Sequence, residues 1–82
     1  MVMTAEISMY PFNPDYIPAI DEFIHQLHQH AGLKVQTFPT CTVVTGERDA
    51  VMTALNEAMA HSQRATGKAV YVVKFIPGYS AL

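Results

Sequence analysis

Eighty-two residues, half of them hydrophobic and 15% charged, hold enough apolar side chain for one packed domain and exclude a disordered chain. A net charge of −2, with the five basic residues Lys34, Arg48, Arg64, Lys68 and Lys74 dispersed, excludes the basic stripe that nucleic acid or an anionic membrane requires. The lone Cys41 closes no intrachain disulfide, and neither a leader-like segment nor a run near ~18 apolar residues occurs, so a soluble, cytoplasmic domain is expected. So thinly charged a small chain is also a candidate for self-association, as dimer or tetramer.

The first element is a strand from Met3 to Tyr10. Its side chains alternate, with Met3, Ala5, Ile7 and Met9 toward a core and Thr4, Glu6, Ser8 and Tyr10 on the other face. Pro11 breaks it, Asn13-Pro14-Asp15 turns the chain, and a helix runs from Tyr16 to Ala31. Ile17, Ile20, Ile24, Leu27 and Ala31 form its apolar stripe at ~100° per residue, flanked by Phe23 and Tyr16. Asp15 is the expected N-cap and Gly32 the expected C-cap, with Pro18 harmless in the first turn. Lys34–Pro39 and Cys41–Thr45 read as short strands, the second ended by Gly46. A second helix from Arg48 to about Ala65 presents Val51, Leu55, Ala58, Met59 and Ser62 on one face, with Met52 beside it, and stops at Thr66-Gly67. Ala69–Ile76 is the last strand, closed by Pro77-Gly78.

The order strand, helix, strand, strand, helix, strand fits an α+β ferredoxin-like βαββαβ sandwich: a four-stranded antiparallel sheet, first and third strands central, both helices on one face. The uncovered face would carry Thr4, Glu6, Ser8 and Tyr10, joined by Val70, Val72 and Lys74. Valines mixed with polar groups suit a subunit interface or a ligand wall.

Few residues are arranged for catalysis or metal binding. His28 and His30 fall on opposite flanks of the first helix, whereas Asp21, His25 and His28 share a face and form at most a surface metal site. His61 stands alone in the second helix, and Cys41 has no activating partner in the sequence. The carboxylates Asp21-Glu22 and Glu47 with Asp49 fall at helix starts, where the helix dipole favours them. Glu6 and Lys74, on neighbouring strands, make either a cross-strand ion pair or a ligand-facing carboxylate. Ser8, Thr37, Thr40 and Thr42, with Tyr10 and Tyr16 bracketing the turn, describe a pocket for a flat, polar heterocycle whose ring stacks while hydroxyls and backbone groups read its edge.

The segments ISMYPFNPDYIPAIDEFIHQL, VQTFPTCTVVTGERDAVMTAL and GKAVYVVKFIPG make nearly the whole chain resemble the YkoF-like thiamine-binding family. Ser8-x-Tyr10-Pro11, with Tyr16 and Ile20 following, and Thr37 to Gly46 are its most specific parts. The resemblance implies a non-catalytic, ferredoxin-like binding protein in vitamin salvage or uptake, without a cofactor, that binds thiamine or its hydroxymethylpyrimidine moiety as a homo-oligomer. It also implies that Ser8, Thr37, Thr40 and Thr42 contact the pyrimidine; to these the residues themselves add Tyr10 and Tyr16 as apolar walls and Glu6 as a partner for an amino or cationic group. The run Phe38-Pro39-Thr40-Cys41-Thr42 departs from the smaller, Met- and Ser-like run expected there and would reshape the pocket. The alternative is an interaction module that dimerises through its open sheet face and holds no metabolite.

Overall fold

β1 (Val2–Pro11) is the strand on which the others are built, and the computed structural model describes it with the rest of the chain, residues 1–82. α1 (Tyr16–His28), β2 (Lys34–Thr37), β3 (Thr42–Glu47), α2 (Arg48–Thr66) and β4 (Ala69–Pro77) follow. The sheet order is β2-β3-β1-β4, every pair antiparallel, so β1 and β3 are central and both helices cover one face. This is the α+β ferredoxin-like arrangement that the element order implies.

The alternation in β1 fixes the core. Met3, Ala5 and Ile7 are buried with Val44 of β3, Phe23 and Leu27 of α1, and Val51, Ala54, Leu55 and Ala58 of α2. Full burial of a side chain the size of Phe23 or Leu27 contributes roughly 2–3 kcal/mol. The Phe23 ring lies 5.1 Å from that of Tyr71, tilted by 47°, a contact that ties α1 to β4. Burial raises the Tyr71 hydroxyl above its ordinary pKa of 10.0, with Ser62 acting weakly in the other direction. No helix is long and apolar enough to cross a membrane.

Several local expectations are corrected. α1 ends at His28, three residues early, with Gln29 as its αR C-cap; Gly32 instead takes a positive φ of 81° in the following turn. Asp15 sits at the N-cap without capping through its side chain; Asn13 Oδ1 accepts from the Asp15 N–H at 3.0 Å. The buried line of α1 is Ala19, Phe23 and Leu27, not the isoleucine stripe: Ala19 is 1% exposed and Ile17 58%. The helix is therefore rotated by about one residue, leaving Ile20 and Ile24 half-buried on its flank.

β2 stops at Thr37, before Pro39, and β3 runs from Thr42 through Gly46 to Glu47. Gly46 does not end the strand: it pairs with Met3, and a Cβ there would lie 2.6 Å from Leu33 Cδ2 and 3.2 Å from the Gly32 carbonyl oxygen. Glycine is present so that Leu33 can pack across the strand. Gly67 closes α2 as expected, at φ 91°, its N–H donating to the Gln63 carbonyl.

Two side chains assigned to helix starts or to isolation in fact meet. Glu22 lies in the middle of α1, and its Oε1 is 2.7 Å from Nε2 of His61 on α2. The hydrogen bonds from His61, then Gln26, hold the Glu22 carboxyl below its ordinary pKa of 4.5.

Candidate functional site

β1 changes partners along its length, and that change opens a cavity. Its ladder with β4 runs from Met3 to Pro11, whereas its ladder with β3 ends at Ile7 opposite Thr42. Beyond Ile7 the sheet lacks its third strand on that side, because β2 and β3 are joined by the turn Phe38-Pro39-Thr40-Cys41. The Phe38 N–H donates to the Cys41 carbonyl at 2.8 Å across the base of that connection, with Pro39 and Thr40 at its tip. Pro11 is tolerated in β1 since its missing N–H falls on the unpaired side.

The resulting cavity has a volume of about 420 Å³. β1 contributes Ile7 to Pro11, α1 contributes Tyr16, Ile20, Phe23 and Ile24, and the β2–β3 hairpin contributes Thr37 to Thr42. The rotation of α1 matters here, because it turns Ile20 and Ile24 from core residues into cavity wall. Two other depressions are comparable in volume, about 480 Å³ and 530 Å³, but lack this concentration of hydroxyls: one lies between α2 and the start of β4 near Asn56, Gln63, Lys68 and Tyr71, the other over Met52, Met59 and Phe75.

Of the residues expected to form a site, Ser8, Tyr10, Tyr16, Thr37, Thr40 and Thr42 line this one cavity. Glu6 does not. It stands opposite Lys74 on the open sheet face, its Oε1 3.6 Å from Nζ, an exposed pair worth about 0–1 kcal/mol. Thr37 and Thr42 are register partners on the helix-facing side of the sheet, as the pairing of Thr42 with buried Ile7 requires. The cavity thus lies between α1 and the end of the sheet rather than on the open face. Sequence reasoning missed Ile20 and Ile24 as wall residues, because they read as core; Phe38 and Cys41 enter the wall within the run expected to reshape the pocket.

Two properties define what the cavity can do. No charged side chain lines it. The hydroxyls of Tyr10, Tyr16, Thr37, Thr40 and Thr42 have no hydrogen-bond partner within the protein, although Thr42 is only 5% exposed; Ser8 alone is engaged, its Oγ donating to the Thr40 carbonyl at 3.1 Å. The Thr42 hydroxyl is not among the buried atoms that lack a partner, so it keeps access to the cavity and is free to bond a polar ligand there. Cys41 is half-buried with no acid or base beside it in the cavity, and no cluster of three metal-ligating side chains occurs anywhere, Asp21, His25 and His28 included.

The fold and cavity define a class: a small ferredoxin-like α+β domain with an uncharged, hydroxyl-lined cavity where the central ladder ends. A profile of the YKOF-related family matches residues 2–76, and the chain belongs to that family. No curated protein matches it. Protein SP2199 from Streptococcus pneumoniae is similar at 26% identity, with a TM-score of 0.87 over 96% of this chain and 89% of that one. A Thermotoga maritima protein, named provisionally for thiamine biosynthesis or salvage, shares the fold at 23% identity and a TM-score of 0.82, over 99% of this chain and 86% of that one. A hypothetical protein from Methanocaldococcus jannascii does so at 22% identity and a TM-score of 0.82, over 99% and 84%.

Proposed function

We propose that this protein is a non-catalytic small-molecule binding domain that takes thiamine or its hydroxymethylpyrimidine moiety in vitamin salvage or uptake, working as a homo-oligomer. The observation that carries the reading is the cavity of about 420 Å³ in which aromatic and aliphatic walls surround hydroxyls without protein partners. A neutral aminopyrimidine offers both donors and acceptors to such groups. With no charge in the wall, the pyrimidine end enters and a thiazolium cation stays toward the mouth. Family membership and the name of the Thermotoga maritima protein support the vitamin. A binding role rather than an enzymatic one is supported by Cys41 lacking a partner base.

Isothermal titration with thiamine and with hydroxymethylpyrimidine tests this. Binding heat and a thermal shift are expected with both; neither signal at millimolar ligand overturns the reading. Glu6→Gln is expected to leave affinity for the neutral pyrimidine unchanged.

A second reading rests on the open sheet face, where Tyr10, Val70, Val72 and Ile76 are all exposed around the Glu6–Lys74 pair. That face serves as the contact between copies of the chain, with or without a metabolite. Sedimentation of Val72→Lys tests it: dissociation to monomers is expected, and an unchanged distribution overturns it.

A further inference from the structure

The cavity contains one feature that its hydroxyls do not explain: unpaired backbone in the middle of a strand. Backbone groups in β1 alternate in direction. The Val2 carbonyl accepts from the Gly78 N–H and the Phe12 N–H donates to the Lys68 carbonyl, so even-numbered residues face β4. The Met1 carbonyl accepts from the Arg48 N–H, so odd-numbered residues face β3. Ile7 is the last of these with a ladder partner, Thr42. The next is Met9, and the same register would set it opposite Thr40. That rung is absent: neither the N–H nor the C=O of Met9 makes a backbone bond, and the Thr40 N–H makes none either. The Thr40 carbonyl, which the Met9 N–H would otherwise reach, accepts instead from Ser8 Oγ at 3.1 Å.

We propose that this missing rung is the edge-reading element of the site. The N–H and C=O of Met9, with the N–H of Thr40 across from them, hydrogen-bond a planar ligand that presents a donor and an acceptor side by side, and Ser8 is the positioning residue that keeps the ladder from closing. A strand residue offers its N–H and C=O to the same side, so one residue matches a ring nitrogen that accepts and a neighbouring exocyclic amino group that donates. Buried backbone groups are nearly always paired, so a ligand that covers the Met9 N–H and C=O in the cavity wall has to replace the water they bond when the cavity is open. This deepens the binding reading above and rests on it. It also gives Ser8 a task besides ligand contact: its hydroxyl proton is committed to the turn, and only the oxygen's lone pairs stay open to a ligand donor.

Methionine amides report the claim directly. In protein labelled with ¹⁵N-methionine, the Met3 amide lies within the β1–β3 ladder opposite Gly46 and serves as the internal standard. The Met9 amide is expected to exchange rapidly without ligand and to slow by at least about tenfold with hydroxymethylpyrimidine or 4-aminopyrimidine, but not with a pyrimidine lacking the amino group. Ser8→Ala removes the bond that sets the position of the Thr40 carbonyl and lets the turn close onto Met9, so Met9 becomes protected without ligand and pyrimidine affinity falls about tenfold, while Ser8→Thr restores both. A Met9 amide as protected as Met3 in the free protein overturns the proposal. So does binding heat with no change at Met9, or a Ser8→Ala protein that behaves as wild type; both outcomes leave the binding function standing. No heat with any of the compounds overturns both.

Discussion

Two groups of threonines on the same sheet have opposite fates. At one end of β1, the Thr4 hydroxyl donates to the Tyr79 carbonyl at 2.6 Å, accepts from the Ala81 N–H at 3.0 Å and lies 3.0 Å from the Thr45 hydroxyl. The segment after β4 thereby lies over this part of the otherwise open face, and Thr4 is 2% exposed. At the other end Thr37, Thr40 and Thr42 bond nothing through their side chains, and the β1–β3 ladder stops one rung short of Met9. Side-chain chemistry is the same; what differs is whether backbone from elsewhere in the chain reaches the hydroxyl. A satisfied end holds the domain together, and an unsatisfied end retains capacity for a ligand.

The largest expected effect breaks the satisfied end. Thr4→Val keeps the shape but leaves the Tyr79 carbonyl, the Ala81 N–H and the Thr45 hydroxyl without their partner, for a loss of about 2–3 kcal/mol in urea denaturation. A loss below about 0.5 kcal/mol would show that the segment after β4 contributes nothing to the fold. Gly46→Ala strains the same end through packing. Leu33 must give way, and the Gly32 carbonyl limits how far, so a loss of about 1–2 kcal/mol is expected, with pyrimidine binding retained. Thr42→Val applies the Thr4 substitution at the other end and should invert the result. Removing an idle hydroxyl that faces the cavity leaves stability within about 0.5 kcal/mol of wild type or raises it, while pyrimidine affinity measured by titration falls about tenfold.

Much of this contrast has a physical signature in the sequence, and some of it has none. Alternation in β1, the apolar periods of the two helices and the stop at Gly67 specify six elements and their order, whereas Gly32 and Gly46 mark no boundary, because the room that each meets depends on packing and not on a local period. The hydroxyl set at Ser8, Thr37, Thr40 and Thr42 is visible as composition near a turn. Its side of the sheet is not, because that depends on the pairing of Thr42 with Ile7, a register between distant strands. The burial of α1 misleads for a related reason: isoleucines at 17, 20 and 24 outweigh Ala19 in any apolar count, yet a cavity beside the helix accepts two of them as wall. The cover over Thr4 and the meeting of Glu22 with His61 are long-range and leave no pattern at all.

The smallest expected effect concerns α1, the one element that belongs to both ends through Phe23 and Leu27 in the core and Ile20 and Ile24 on the cavity. Beside its apolar packing on α2 it has a polar link, the Glu22–His61 hydrogen bond. Because the folded protein holds the Glu22 carboxyl below 4.5, the bond's contribution is present above that pH and is lost as pH falls through the lowered value. A ¹³C-carboxyl titration should therefore give a Glu22 midpoint below 4.5 that returns toward it in His61→Ala. Acidification through that range should loosen α1 against the cavity and weaken pyrimidine binding, while the Ala81 amide on Thr4 stays protected. Parallel loss of both signals would mean that the two ends unfold as one unit, and the division between a structural end and a binding end would not extend to their stability.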